Sequence, residues 1–146
     1  AWHQRRQLIE KLHGTNTERF VEEVQKEFEF VRSAVYVEPA DQSGWVYYHW
    51  LVGALVKSMP ASSKGLESTL AFLDSEVSQC MALLDIEPDC KLALLAVVQL
   101  IQEKSKLSKA SVTEQQKQLC EKHLKRLPEI DPARKSFYIF LSEILL

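Results

Sequence analysis

The chain has no long apolar run. Its longest, Trp45 to Val56, is interrupted by His49 and falls short of the roughly 20 apolar residues a bilayer-spanning helix needs, so no membrane insertion is expected. It also has no basic excess: 18 Lys and Arg against 20 Asp and Glu leave a formal charge of −2, which argues against nucleic acid as a partner. Cysteine is scarce. Cys80, Cys90 and Cys120 are odd in number and too few for a disulfide framework, which suits a reducing, cytoplasmic setting. No phosphate loop, metal finger or nucleophile–base motif stands in the sequence, so a self-sufficient enzyme is the least favoured reading. Ala1 begins inside a repeat. The chain is therefore read as N-terminally incomplete, and its first residues carry no targeting argument.

What is present suffices for a core: 146 residues, 46% hydrophobic and 26% charged, as in an ordinary folded domain. Its organisation is set by recurring punctuation. Glu38-Pro39, Ile86-Glu87-Pro88 and Ile130-Asp131-Pro132 each stop a helix, since proline disfavours helical dihedrals in the residue before it. The prolines follow one another at steps of 49 and 44 residues, and Ala1-Trp2 returns as Gly44-Trp45 at a step of 43. A weak repeat with a period in the forties predicts an array of helical hairpins. The expectation is one all-α domain, 1–146: an α–α superhelix, a right-handed solenoid of antiparallel hairpins like the tetratricopeptide fold. Its repeats are placed at roughly 1–37, 38–86, 87–130 and 131–146.

Taken in order, Ala1 to His13 reads as a helix with Trp2, Arg5, Leu8, Ile9 and Leu12 near helical spacing. Gly14 ends it, and Thr15 with Glu18 forms a capping box for a helix from Glu18 to Val35. That helix puts Phe20, Val24, Phe28, Val31 and Val35 on one face, with charges such as the i,i+4 pair Glu22–Lys26 around the rest. Asp41 or Ser43 caps a helix from Trp45 to Lys57 that is apolar nearly all round. Met59 to Gly65 reads as a loop, and Leu66 to Leu84 as a second amphipathic helix. Lys91 to Ile101 is again apolar on every side, and Lys104 to Ala110 reads as a polar connector. Ser111 and Glu114 open a helix reaching about Leu127, and Asp131 caps the last helix with Pro132 at its first position. First helices of each pair are thus apolar on both faces and second helices charged on one. Their stacking gives two layers, the inner needing cover from further chain or from a partner.

The series Asp41-Gln42-Ser43-Gly44-Trp45-Val46-Tyr47-Tyr48-His49-Trp50-Leu51 resembles the repeat of protein prenyltransferase α subunits, Asn/Asp-x-Ser-x-Trp followed by a basic or aromatic cluster and two aliphatics. Ala1-Trp2-His3-Gln4-Arg5-Arg6 is similar to the tail of the preceding copy, and the segments opening at Pro88 and Pro132 to later copies. The resemblance covers essentially the whole chain and is nearest the Rab geranylgeranyltransferase (type II) branch. It implies hairpins wrapped around a β subunit that holds zinc, binds geranylgeranyl diphosphate and forms the thioether on Rab C-terminal cysteines. It also implies that later helices meet the Rab escort protein with its bound Rab. No cofactor is implied for this chain itself. Tyr48 stands where many copies have Arg or His, His49 where Arg is common, and the last two copies have no tryptophan. The segment 59–65 is too short for the immunoglobulin-like insert of animal members. The early repeats whose Lys-Asn/Ser-Tyr segment reaches the prenyl diphosphate have no counterpart, so no catalytic residue carries over.

The residues carrying the motif are Trp2, Arg5, Pro39, Asp41, Ser43, Trp45, Trp50, Pro88 and Pro132, and a partner interface is placed at Tyr47, Tyr48 and His49. Aromatics at helical spacing are first of all core residues, because they bury large area at modest entropy cost. Cys120 and His123, one turn apart, match no compact zinc spacing and read as packing residues. His3 and His49 lack any arranged nucleophile or carboxylate and are read the same way. Two other functions fit an all-helical repeat. One is a stand-alone adaptor binding a protein through its apolar inner face, against which the period near 34 is missing. The other is the α subunit shared by farnesyltransferase and geranylgeranyltransferase type I, which the Asp-Gln-Ser start at Asp41 argues against.

Overall fold

The computed structural model describes residues 2–13, 17–59 and 62–144. Among them are seven α-helices and no strand: α1 (Trp2–His13), α2 (Thr17–Val37), α3 (Gln42–Lys57), α4 (Ser63–Ile86), α5 (Lys91–Leu107), α6 (Glu114–Ile130) and α7 (Lys135–Ile144). The chain is all-α, as the hairpin periodicity predicts. Residues 1–69 and 70–146 form two compact units whose boundary falls inside α4.

The proline punctuation is a repeated backbone motif. Glu38 N donates to Ala34 O (3.2 Å) and Asp41 N to Glu38 O (3.1 Å); Glu87 N donates to Leu83 O (2.8 Å) and Cys90 N to Glu87 O (3.1 Å). The third corner repeats the pattern, with Asp131 N to Leu127 O at 2.8 Å and Arg134 N to Asp131 O at 3.2 Å. In each, a carbonyl of the helix's last turn is satisfied by the residue before the proline. The proline, which has no N–H to leave unpaired, then turns the chain into the next element.

In the first unit, α1 and α3 both pack against α2. The stripe read from sequence is the core: Phe20, Val24, Phe28, Val31 and Val35 are all buried, each contributing about 1.5–3 kcal/mol on the transfer scale. Against it stand Trp45, Tyr48, Leu51, Val52 and Leu55 of α3 and Ile9 of α1. Gly44 sets how closely α3 approaches, since a β-carbon there would come within 3.0 Å of Val35 Cγ1. Asp41 caps α3, its side chain accepting from Ser43 N at 3.0 Å. Leu8, read with Ile9 and Leu12 at helical spacing, is exposed, and Val46 projects outward with 60% of its surface free. Lys26 pairs with Glu23 (3.5 Å), one turn earlier, rather than in the expected i,i+4 register. The Gly14 stop and the Thr15–Glu18 capping box lie outside the described residues.

In the second unit, α5 packs on α6 and α6 on α7. Six consecutive residues of α5, Ala93 to Val98, are buried, so the doubly apolar helix is covered by its own chain through this stretch. Four boundaries differ from the sequence reading. Ser63 to Gly65 are helical rather than loop, because the Ser62 hydroxyl accepts from Gly65 N (3.0 Å) and starts α4 early. The expected connector from Lys104 begins as helix, α5 running on to Leu107, with Lys104 only 2% exposed. The capping box of α6 is Thr113 with Gln116, not Ser111 with Glu114: Gln116 N donates to Thr113 Oγ1 (3.1 Å) and Thr113 N to Gln116 Oε1 (3.3 Å). Ser111 sits in a 3₁₀ turn (Lys109–Ser111), its hydroxyl donating to Ser108 O at 2.6 Å. Asp131 makes no side-chain cap. Its carboxylate accepts from Tyr138 Oη (2.7 Å), and Pro132 opens a 3₁₀ turn (Pro132–Arg134) before α7.

Candidate functional site

The strongest concentration of interacting polar and aromatic groups in the first unit lies where α1, α2 and α3 meet. Glu27 is at its centre. Its carboxylate accepts from Arg5 Nε (3.0 Å), from a terminal nitrogen of the same guanidinium, and from Tyr47 Oη (2.7 Å). Charged hydrogen bonds of this kind are roughly twice as strong as neutral ones. They join three helices through one carboxylate. The Arg5 guanidinium also lies 3.8 Å from the centre of the Phe30 ring. Trp2 contacts Phe30 edge-on (5.9 Å) and Tyr47 (5.1 Å), Tyr47 stacks on Trp50 (5.8 Å), and Arg6 lies over Trp50 (5.1 Å). Beside this cluster a groove of about 420 Å³ opens between Trp2 and Arg6 of α1 and Ser43, Val46 and Tyr47 of α3.

Electrostatics fix the protonation of the cluster. Burial, then the bond to Glu27, pushes the Tyr47 hydroxyl well above the ordinary tyrosine value, so it donates as a neutral group. The same carboxylate raises the Arg5 guanidinium. His49, enclosed beside Tyr48, is pushed down to about 4 by burial and is neutral at pH 7. With its carboxylate held by three hydrogen bonds from Arg5 and Tyr47, the cluster ties the three helices together.

The motif residues divide into two roles. Trp45, Tyr48 and Asp41 are structural: the Trp45 indole donates to Pro39 O (3.0 Å), Tyr48 packs edge-on against Phe28 (5.4 Å), and Asp41 caps α3. Ser43 is exposed and contributes its backbone N–H to Asp41. Trp2, Arg5 and Trp50 belong to the cluster, whereas Pro88 and Pro132 are exposed at their corners in the second unit. Of the expected interface residues, Tyr47 and Tyr48 are 4% and 2% exposed and His49 is half-buried; the two tyrosines pack inside the unit. Toward solvent α3 offers Val46. Glu27 and Phe30 were not foreseen. The signal for Glu27 was its position, one residue from Phe28 and three from Val24, beside the buried stripe.

In the second unit His123 Nδ1 donates to Leu94 O (3.2 Å), and burial pushes the neighbouring Cys120 thiol up to about 11. Both are packing residues. Among the described residues no His, Cys, Asp and Glu cluster suits a metal, and no helix is long and apolar enough to cross a membrane.

With the geometry in place, comparison with known proteins can be read. Residues 24–55, which run from the Glu27 face of α2 through the Asp41-capped start of α3, match the protein prenyltransferase alpha subunit repeat. More particularly, the chain is similar to the geranylgeranyl transferase type-2 subunit alpha of Dictyostelium discoideum, 35% identical over 92% of this chain and 39% of the relative. The subunit of that name from Saccharomyces cerevisiae is 24% identical over 98% of this chain and 43% of its own length. That of Bos taurus is 40% identical over 36% of this chain and 10% of its own. The chain spans about two fifths of the length of the first two relatives.

Proposed function

We propose that this chain is a noncatalytic α-subunit segment of a heterodimeric type-2 geranylgeranyl transferase, scaffolding a β subunit that transfers geranylgeranyl groups to Rab C-terminal cysteines. In this reading the zinc and the chemistry belong to the β subunit, the substrate is a Rab held by its escort protein, and the setting is cytoplasmic. The chain is one helical-repeat domain of four successive repeats, 1–37, 38–86, 87–130 and 131–146. Support comes from the repeat match and from the similarity to type-2 α subunits along nearly the whole chain. The observation that carries it is the Glu27-centred cluster, whose Glu27, Phe30, Tyr47 and Trp50 lie inside the matched repeat. A carboxylate, a guanidinium and four aromatic rings hold the Trp2–Val46 groove rigid, and a preorganised surface loses little entropy on binding.

The test is co-expression of the chain, in its full-length form, with a type-2 β subunit, followed by size-exclusion chromatography. A stable 1:1 complex that lipidates a Rab in the presence of escort protein is expected. Val46→Asp, at an exposed position, is expected to weaken the complex by about tenfold or more without altering the melt of the free chain. A soluble monomer that ignores the β subunit would overturn the proposal.

A further inference from the structure

Between α6 and α7 lies a second groove, of about 730 Å³, within the range of ligand pockets. Three independent features describe what fits it. Its floor is apolar: Leu124 and Pro128 of α6 face Tyr138 and Ile139 of α7, and Ile139 keeps 46% of its surface exposed. Its lining includes Pro128, a proline inside a helix. Pro128 lies inside α6 and has no N–H, so Leu124 O lacks the bond that residue 128 ordinarily supplies. Its rim carries Lys122 and Lys125, both exposed, and neither has an ion-pair partner among the described residues. Glu121 stands on the same rim, so the rim charge is net positive by the second lysine. Lysine stems can cover apolar floor while their ammonium groups meet anions at the edge.

We propose that the α6–α7 groove is a docking site for an acidic peptide segment of another protein. One bulky apolar side chain sits on the Leu124–Ile139 floor, a backbone N–H donates to Leu124 O, and flanking carboxylates pair with Lys122 and Lys125. The site lies on other helices than the Trp2–Val46 groove and holds whether or not the chain serves a transferase. Neutral or basic apolar segments meet the same floor but forgo both lysines. A flat apolar contact leaves the orphan carbonyl unused.

The test is display selection of a random dodecapeptide library on the immobilised chain, with binding of the enriched peptides measured by fluorescence anisotropy. Enriched peptides are expected to be net negative around one bulky apolar residue. Their affinity should fall by about tenfold or more on the chain carrying Lys122→Glu and Lys125→Glu, both at exposed helical positions that leave the fold intact. It should also fall with added salt. Pro128→Ala, which gives Leu124 O an intrahelical donor, should weaken binding several-fold while leaving the helix content unchanged or higher. Three results overturn the proposal: no enrichment, enriched peptides that are neutral or basic, or equal binding to the charge-reversed chain. So does a concentration-dependent dimer in sedimentation that Ile139→Ser dissolves, since a second copy would then be the occupant.

Discussion

Tyr47→Phe isolates the bond that ties α3 to the Glu27 cluster. The substitution keeps the ring against Trp2 (5.1 Å) and Trp50 (5.8 Å) and removes only the hydroxyl that donates to Glu27 at 2.7 Å. A hydrogen bond to a charged group is worth about 1.5–3 kcal/mol net. Part of this is returned because a hydroxyl need no longer be buried, and because Glu27 keeps Arg5 as a partner. The expected loss is therefore about 1–2 kcal/mol. Glu27→Gln should cost somewhat more, about 2 kcal/mol, since it removes the charge from Arg5 as well and turns an amide N–H₂ toward one of two donors. The exposed side of the Arg5 pair, with a third of that side chain in solvent, accounts for under about 1 kcal/mol of this. Urea denaturation of the two single variants and the double variant gives the coupling, expected near 1 kcal/mol and favourable. The pH dependence follows in sign. Tyr47 is raised above its unfolded value of 10.0, so its contribution is complete below pH 10 and is lost as pH rises beyond it, in the parent and not in Tyr47→Phe. Additive variants, or a Tyr47→Phe chain as stable as the parent, would refute the account of the cluster as one interlocked unit.

Two further perturbations read the buried Lys104 and the enclosed imidazole. Lys104 donates to Asp74 Oδ1 (2.6 Å), Gln116 Oε1 (2.9 Å) and Ser111 O (3.0 Å), so Lys104→Met, which keeps the stem, should cost about 2 kcal/mol in urea denaturation and speed hydrogen exchange at 108–113; an unchanged midpoint would show that the ammonium is dispensable. His49 is held near 4 in the fold against 6.5 when free, so the unfolded chain takes up a proton that the folded chain refuses, and stability should fall as pH drops from 6.5 toward 4, by up to about 3 kcal/mol. The difference in denaturation midpoint between the parent and His49→Gln, followed from pH 7 to 4.5, should change in that direction, and a difference independent of pH would sink the assignment.

The elements most legible in the sequence are those set by local chemistry. Proline disfavours helical dihedrals in the residue before it, so the three corners could be placed, and the three repeat the same pair of backbone bonds. The α2 stripe could be read because its apolar residues recur at the helical period, and every one of the five is buried. Errors arose where two signals competed for one position. Ser111 with Glu114 satisfies the capping pattern as well as Thr113 with Gln116 does. What decides is the 3₁₀ turn, which already uses the Ser111 hydroxyl.

Lys104 was misread and Glu27 passed over for a common reason, and it points to a rule for arrays of this kind. Lys104 was assigned to a connector because lysine ordinarily faces water. Yet it lies three residues from Ile101 and four from Leu100, on the buried stripe of α5, and its partner Asp74 is 30 residues away. Glu27 holds the same kind of position beside the α2 stripe, and its partners are 22 and 20 residues away. A charge that interrupts an apolar stripe is costly unless another helix brings the opposite charge or enough donors to it. In a repeat protein that helix belongs to the neighbouring layer, so such residues mark where one hairpin is keyed to the next. Both charges sit at those keys in this chain: Glu27 joins α2 to α1 and α3, and Lys104 joins α5 to α4 and α6. The Trp2–Val46 groove is thus held by an interaction invisible to any single helix, which is why periodicity found the helices and not their key.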